Sequence, residues 1–149
     1  MATKYQGKYN DKILIPNDIQ KAAIIDQYIS VEGFYYGTPI SAIGYQRFFK
    51  KKREGKEPDE EIIKSELEKM NKTLDVYEKI LGSKEYLTGN QISLADILHS
   101  PTTASAVTAG YGDLWESRPN VKRWLDNLSK RESSKEMKKV IDDSLVKHP

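Results

Sequence analysis

Ser93, Asp96 and His99 are the residues of this chain whose types and spacing come closest to chemistry. Spaced by three, they would lie on one face of a helix. Hydroxyl, carboxylate and imidazole are also the parts of a nucleophilic relay. The surrounding sequence gives them another use. Ser93-Leu94-Ala95-Asp96 reads as a capping box. Ser93 accepts the N–H of the third helical residue, and Asp96 reaches back to the N–H of Ser93. A carboxylate committed to a helix start is not free to orient an imidazole. Asp96 and Ser93 are therefore expected to be structural, and His99 to be a packed, hydrogen-bonded core histidine. A cap of this kind is worth about 0.5–2 kcal/mol, and more where water is excluded. No catalytic residue is assigned.

Other chemistries find less. His99 and His148 are the only histidines and there is no cysteine. No metal site, disulfide or redox couple is expected, which fits a reducing, cytoplasmic setting. No Gly-rich phosphate loop exists, and the Gly33/Gly37 pair reads as helix weakening ahead of Pro39. Lys50-Lys51-Lys52-Arg53 is a basic run that complements the negative end of a helix. Asp59-Glu60-Glu61 and Asp142-Asp143 read as helix-terminal charge. With 24 basic and 22 acidic residues, the net charge of +2 lacks a nucleic-acid footprint. No apolar run approaches the roughly 18 residues of a membrane span, and no secretory signal opens the chain.

An apolar surface remains. Phe34, Tyr35, Tyr36, Ile40, Ile43, Tyr45, Phe48 and Phe49 gather aromatic and branched side chains around Pro39. Together they exceed what one helix face can bury, so part of the group should line a cleft.

The elements that must position these residues are all helical. The 149 residues fit one domain. Residues 1–16 read as a linker ending at Pro16, and residues 17–149 as the folded domain. Asn17 or Asp18 caps a long helix, which Gly37-Thr38-Pro39 should interrupt. A helix resumes from Ser41 to Lys52, and a polar loop follows at 54–58. Asp59 caps the next helix, whose Ile63, Leu67, Met70, Leu74, Tyr77 and Leu81 form one apolar stripe ending at Gly82. Gly89-Asn90 is expected to turn, since both residue types tolerate positive φ. Ile92 and Ile97 should staple the cap after it. The helix from Leu94 to about Ala109 is small and apolar, so it should be buried, kinked at Pro101 and ended by Gly110-Tyr111-Gly112. Pro119 opens another helix, with Val121, Trp124, Leu125 and Leu128 inward. A second box, Ser133 and Glu136, should open the last, with Met137, Val140, Ile141 and Leu145 inward. The expected class is all-α, with five to six helices around the one starting at Leu94.

Four ordered blocks resemble the C-terminal helical domain of the glutathione transferases, closest to the phi class and its fungal relatives. They are Leu74-Asp75-Val76-Tyr77-Glu78, Tyr86-Leu87-Thr88-Gly89 with Ser93-Leu94-Ala95-Asp96, His99-Ser100-Pro101, and Arg118-Pro119-Asn120-Val121-Lys122-Arg123-Trp124. The resemblance runs from about Tyr9 to Val140. Ala2-Thr3-Lys4-Tyr5 is similar to the end of the family's thioredoxin-like domain. By that resemblance, residues 1–16 are a remnant of the thioredoxin-like domain plus linker. The family's thiol-activating Ser or Tyr and its glutathione site lie in that domain, so glutathione would be a co-substrate only when the domain is supplied.

The resemblance further implies that Tyr36, Ile40 and, more weakly, Ile43 line a pocket for hydrophobic electrophilic small molecules. Ser105 matches a position where some relatives hold a pocket tyrosine. It implies conjugation in a whole enzyme and an inactive isolated chain. An alternative is a protein-interaction module, as in the similar domains of translation factors and tRNA-synthetase complexes. A homodimer or protein partner would then cover an exposed face.

Overall fold

The computed structural model describes residues 14–147, with side chains described through residue 143. Expectations for residues 1–13 and for the side chains of Leu145 and His148 lie outside the described residues. All regular structure among them is helical, apart from one antiparallel bridge between Tyr86 and Gly89. The helices are α1 (Ile19–Val31), α2 (Thr38–Gly44), α3 (Lys50–Glu54), α4 (Glu60–Leu81), α5 (Leu94–Ala106), α6 (Asp113–Glu116), α7 (Pro119–Ser129) and α8 (Glu132–Lys147). As expected, the fold is all-α around the helix that starts at Leu94: α5 packs against α1, α2, α7 and α8.

Asp18 caps α1, its Oδ1 accepting from the N–H groups of Gln20 and Lys21 at 3.0 and 3.1 Å. The chain then stays helical from 19 to 54. The expected interruption at Gly37-Thr38-Pro39 does not occur. Wider π turns at Glu32–Gly37 and Tyr45–Phe49 join α1, α2 and α3 into one rod. A π turn absorbs the hydrogen bond that proline cannot make. The Tyr35 carbonyl, four residues before Pro39, accepts instead from Thr73 Oγ1 of α4 at 3.0 Å. Thr38 Oγ1 donates to the Gly33 carbonyl at 2.6 Å. The rod ends at Gly55, whose φ of +67° closes the helix on the Lys51 carbonyl.

Asp59 caps α4 as expected, accepting from Glu61 and Ile62 N–H. The α4 stripe buries Ile63, Met70, Leu74, Tyr77 and Leu81, with Leu67 half-buried. In the following turn only Gly89 adopts positive φ, +151°; Asn90 does not. Asn90 works through its side chain, accepting from Glu85 N–H at 3.4 Å.

The capping box at Ser93 and Asp96 is present. Asp96 is fully buried and its carboxylate is saturated. Oδ2 accepts from Ser93 N–H at 2.9 Å and from the Ser93 hydroxyl at 2.8 Å. Oδ1 accepts from Leu87 N–H at 2.9 Å and from the Trp124 indole N–H at 3.0 Å. One side chain thus ties the turn, the start of α5 and the middle of α7.

α5 is buried on one face only, through Ala95, Asp96, His99, Thr103 and Ala106. Leu98 and, just past the end of α5, Val107 are each 38% exposed, so the expectation of a buried helix holds for one face only. Pro101 sits within continuous α-helix on the exposed side. The break in the backbone comes later, at Gly110, with φ +92°.

Pro119 is the first residue of α7. Its N-cap, Arg118, offers no acceptor, and Glu78 of α4 takes that role, accepting from Asn120 and Val121 N–H at 3.0 Å each. Arg118 reaches Asp75 of α4 at 2.6 Å. α8 begins at Glu132, before the expected Ser133 box, with Ser134 and Lys135 N–H on the Arg131 carbonyl. Val140 is 69% exposed, not inward as expected. Met137 and Ile141 are half-buried, so α8 contacts the bundle through a narrow stripe.

Asp96→Ala removes the cap and strands the N–H groups of Leu87, Ser93 and Trp124 in a dry interior. At about 1–3 kcal/mol for each buried unmet donor, the expected loss in urea unfolding is about 4 kcal/mol. A loss under about 1 kcal/mol, within the range of an ordinary exposed cap, would contradict this account.

Candidate functional site

A cleft of about 620 Å³ opens between the rod and the C-terminal half of α5. The rod contributes Ile40, Ile43, Phe48 and Phe49; α5 contributes Pro101, Ser105 and Ala106; α6 closes the floor with Leu114 and Trp115. The two π turns leave this wall continuous, so the cleft lies between packed helices and not at a break in one.

Of the expected lining residues, Ile40, Ile43 and Ser105 border this cleft. Tyr36 does not. It is 0% exposed, its ring stacked on Tyr77 at 5.9 Å and edge-on to His99 at 4.6 Å. A tyrosine whose hydroxyl finds partners inside is stable there. Tyr36 has two: the Trp115 indole donates to its oxygen at 2.8 Å, and the Thr103 hydroxyl lies against it. From the aromatic group, Tyr45, Phe48 and Phe49 line the cleft, whereas Phe34 and Tyr35 face away at 76% and 64% exposure.

Arg53 and Tyr111 also line the cleft and were missed from sequence. In the sequence Arg53 stands within a basic run that reads as helix-end charge. Its spacing of four from Phe49 was the available signal; its guanidinium carbon lies 5.3 Å from the Phe49 ring centroid. Tyr111, between two glycines, reads in the sequence only as part of a helix terminator. Its oxygen accepts from Arg47 Nε at 2.9 Å, and Arg47 is held in turn by both carboxylate oxygens of Glu60 at 2.6 and 3.0 Å. The Tyr45 hydroxyl donates to Glu54. That bond, with help from Lys56, holds the Glu54 carboxyl below the usual carboxylate range.

Behind the cleft floor runs a directed polar chain. Trp115 donates to Tyr36, Tyr36 to Thr103, and Thr103 to the His99 carbonyl at 2.7 Å. His99 Nδ1–H donates to the Ala95 carbonyl at 2.7 Å, so Nε2 must accept, and Tyr77 donates to it at 2.9 Å. Burial pushes the hydroxyls of Tyr36 and Tyr77 well above the usual tyrosine range, so both stay donors. Burial lowers His99 to about 4, partly opposed by the Ala95 bond and the Asp96 charge. His99 is the packed core histidine that the sequence suggests. Among the described residues no group of three His or acidic side chains could hold a metal ion, and no helix is long and apolar enough to cross a membrane.

A helical bundle with an apolar cleft between a long rod and a central capped helix defines the class. A family model described as glutathione S-transferase, C-terminal domain, matches residues 37–132, and the chain belongs to that family. It is similar to the probable glutathione S-transferase GSTF1 of Oryza sativa, with 32% identity over 138 residues, 93% of this chain and 63% of the relative. Glutathione S-transferase F10 of Arabidopsis thaliana is 35% identical over 92% of this chain and 63% of its own. Among solved structures, glutathione transferase F2 of Populus trichocarpa superposes with a TM-score of 0.85 at 34% identity, over 95% of this chain and 66% of that one. Glutathione S-transferase I of maize, in complex with an atrazine glutathione conjugate, does so with 0.83 at 29% identity, over 93% and 65%. The chain spans about 63% of the length of the rice and Arabidopsis relatives.

The four blocks that carry the resemblance meet in space. Asp75 and Glu78 hold Arg118 and the start of α7. Asp96 holds Trp124, and Tyr77 holds His99. An unfolded imidazole titrates near 6.5 and the folded one near about 4, so within that window only the unfolded chain takes up the proton. Stability from His99 is therefore complete above pH 6.5 and is lost as pH falls through about 4, by about 3 kcal/mol in all. The stability gap between the wild type and His99→Gln should be widest at neutral pH and shrink over this window. A gap independent of pH would rule out a neutral, buried His99.

Proposed function

We propose that this chain is the hydrophobic-substrate-binding domain of a phi-like glutathione transferase, located in the cytoplasm. The single observation carrying this reading is the apolar cleft that brings Ile40, Ile43 and Ser105 together. Its occupant would be a hydrophobic electrophile. In the whole enzyme the sulfur of a glutathione thiolate would attack that electrophile and displace its leaving group or add across an activated double bond. Glutathione acts as co-substrate, not as a group resident in these residues.

The step that ionises the thiol needs a donor that lowers its pKa. By family resemblance that donor belongs to a thioredoxin-like domain, and among the described residues there is no strand, only one bridge. The fit to maize glutathione S-transferase I, solved in complex with an atrazine glutathione conjugate, supports an apolar aromatic occupant. The isolated 149-residue chain should neither be retained on immobilised glutathione nor conjugate an electrophilic aryl chloride. Turnover well above the uncatalysed reaction would refute this division of labour.

A second reading, a protein-interaction module, draws on one observation. Phe34 and Tyr35 sit side by side on the rod at 76% and 64% exposure, and apolar surface of this kind marks an interface. With a second copy of the chain as the occupant, sedimentation should give a dimer mass at micromolar concentration and Phe34→Glu should return a monomer. A wild-type monomer throughout would remove this homodimer.

A further inference from the structure

The last turns of α5 have a cavity on either side. Pro101, Ser105 and Ala106 border the cleft; Ser100, Ala104 and Val107, on the opposite side, border a second cavity of about 260 Å³ that α7 and α8 enclose. Trp115 borders both. The space is left where α8 meets the bundle along a narrow stripe, with Leu125 of α7 and Met137 of α8 half-buried across it. The floor is apolar, and Met137 supplies a flexible, polarisable thioether that suits an aromatic ring. The rim is charge-balanced. Lys122 is paired with Asp126 at 2.8 Å, Lys135 with Glu132 at 3.4 Å and Lys138 with Asp142 at 2.8 Å, and Glu116 stands near Lys122. The hydroxyls are unequally used. Thr103 and Ser129 spend theirs on the His99 and Asp126 carbonyls, whereas those of Ser100 and Ser134 have no partner among the described residues.

We propose that this second cavity binds an uncharged single-ring phenol. An apolar cavity of about 150 Å³ holds benzene, so one of about 260 Å³ admits a ring with short substituents. The ring lies against Leu125 and Met137, and its hydroxyl meets Ser100 or Ser134, each able to donate or accept. A charged analogue is disfavoured, because every lysine on the rim already has its acid and the floor offers nothing to replace lost hydration. The site does not depend on what occupies the cleft.

Methyl NMR of the full chain with isotope-labelled methionine reads this site directly. Of the three methionines, Met137 lines the cavity and Met70 is buried in the core; Met137→Leu identifies the signal. Titration with 4-ethylphenol should shift the Met137 methyl saturably, with a dissociation constant of about 1 mM, and leave Met70 unmoved. 4-Ethylbenzoate and 4-ethylbenzylamine, the anionic and cationic analogues, should bind about tenfold more weakly. Ser105→Phe, in the cleft, should leave the titration unchanged, and Ala104→Phe should abolish it. If Ala104→Phe fails to fold, seen as a displaced Met70 signal, Ser134→Phe fills the same space from the α8 side and decides. Absence of a saturable Met137 shift would overturn the proposal. So would a shift that Ser105→Phe removes, which would put the ligand in the cleft and carry its effect to Met137 through Trp115. A shift that survives the filling variants, or equal affinity for the charged analogues, would overturn it as well.

Discussion

A buried carboxylate with no ion-pair partner among the described residues stands at the centre of this fold. Taking a charge out of water is costly unless hydrogen bonds replace the lost hydration. Asp96 is fully buried, and four donors surround its two oxygens. Because each donor comes from a defined place, meeting that need fixes geometry. The Leu87 N–H sets where the turn ends, Ser93 sets where α5 begins, and the Trp124 indole sets how far α7 has rotated. A neutral side chain would relieve the desolvation and lose the specification.

The rest of the interior follows from that placement. With α5 started at one point, His99 and Thr103 fall one and two turns further along the same face, where Tyr77 and Tyr36 meet them. The Trp115 indole ends the polar chain, and the other side of the same residue forms the cleft floor. Packing and site are thus coupled through one side chain. The cleft can be apolar because the polar atoms behind it are spent on each other.

The sequence was readable where structure is local. Asp18, Asp59 and the Ser93–Asp96 box bond within three residues of themselves, and the α4 stripe repeats at helical spacing. It was unreadable where partners are far apart in the chain. Pro39 is carried through the rod because Thr73, from another helix, meets the freed Tyr35 carbonyl. Tyr36 leaves the cleft for the core because its partners stand 67 and 79 residues away. Arg53, at the end of the rod, and Tyr111, just past the break at Gly110, come together in the wall only in the folded chain. The start of α8 was misplaced because the Arg131 carbonyl, an acceptor present in every residue, competes with the more visible serine box. For the cleft, residue types were legible and their facing was not.

The seams in the rod give the cleft an uneven wall. Near Pro39 the backbone is fastened to α4 by the Thr73 hydroxyl. At Tyr45–Phe49 a second loosened turn lies directly in the wall, and only side chains brace it: Arg47 on Glu60 and Tyr111, and Gln46 on the Asp59 N–H at 2.9 Å. A guest lodged beside Ile40 would therefore press on helix tied to α4 through a backbone carbonyl, and one lodged beside Phe48 and Phe49 on a π turn whose bracing would have to rearrange with it.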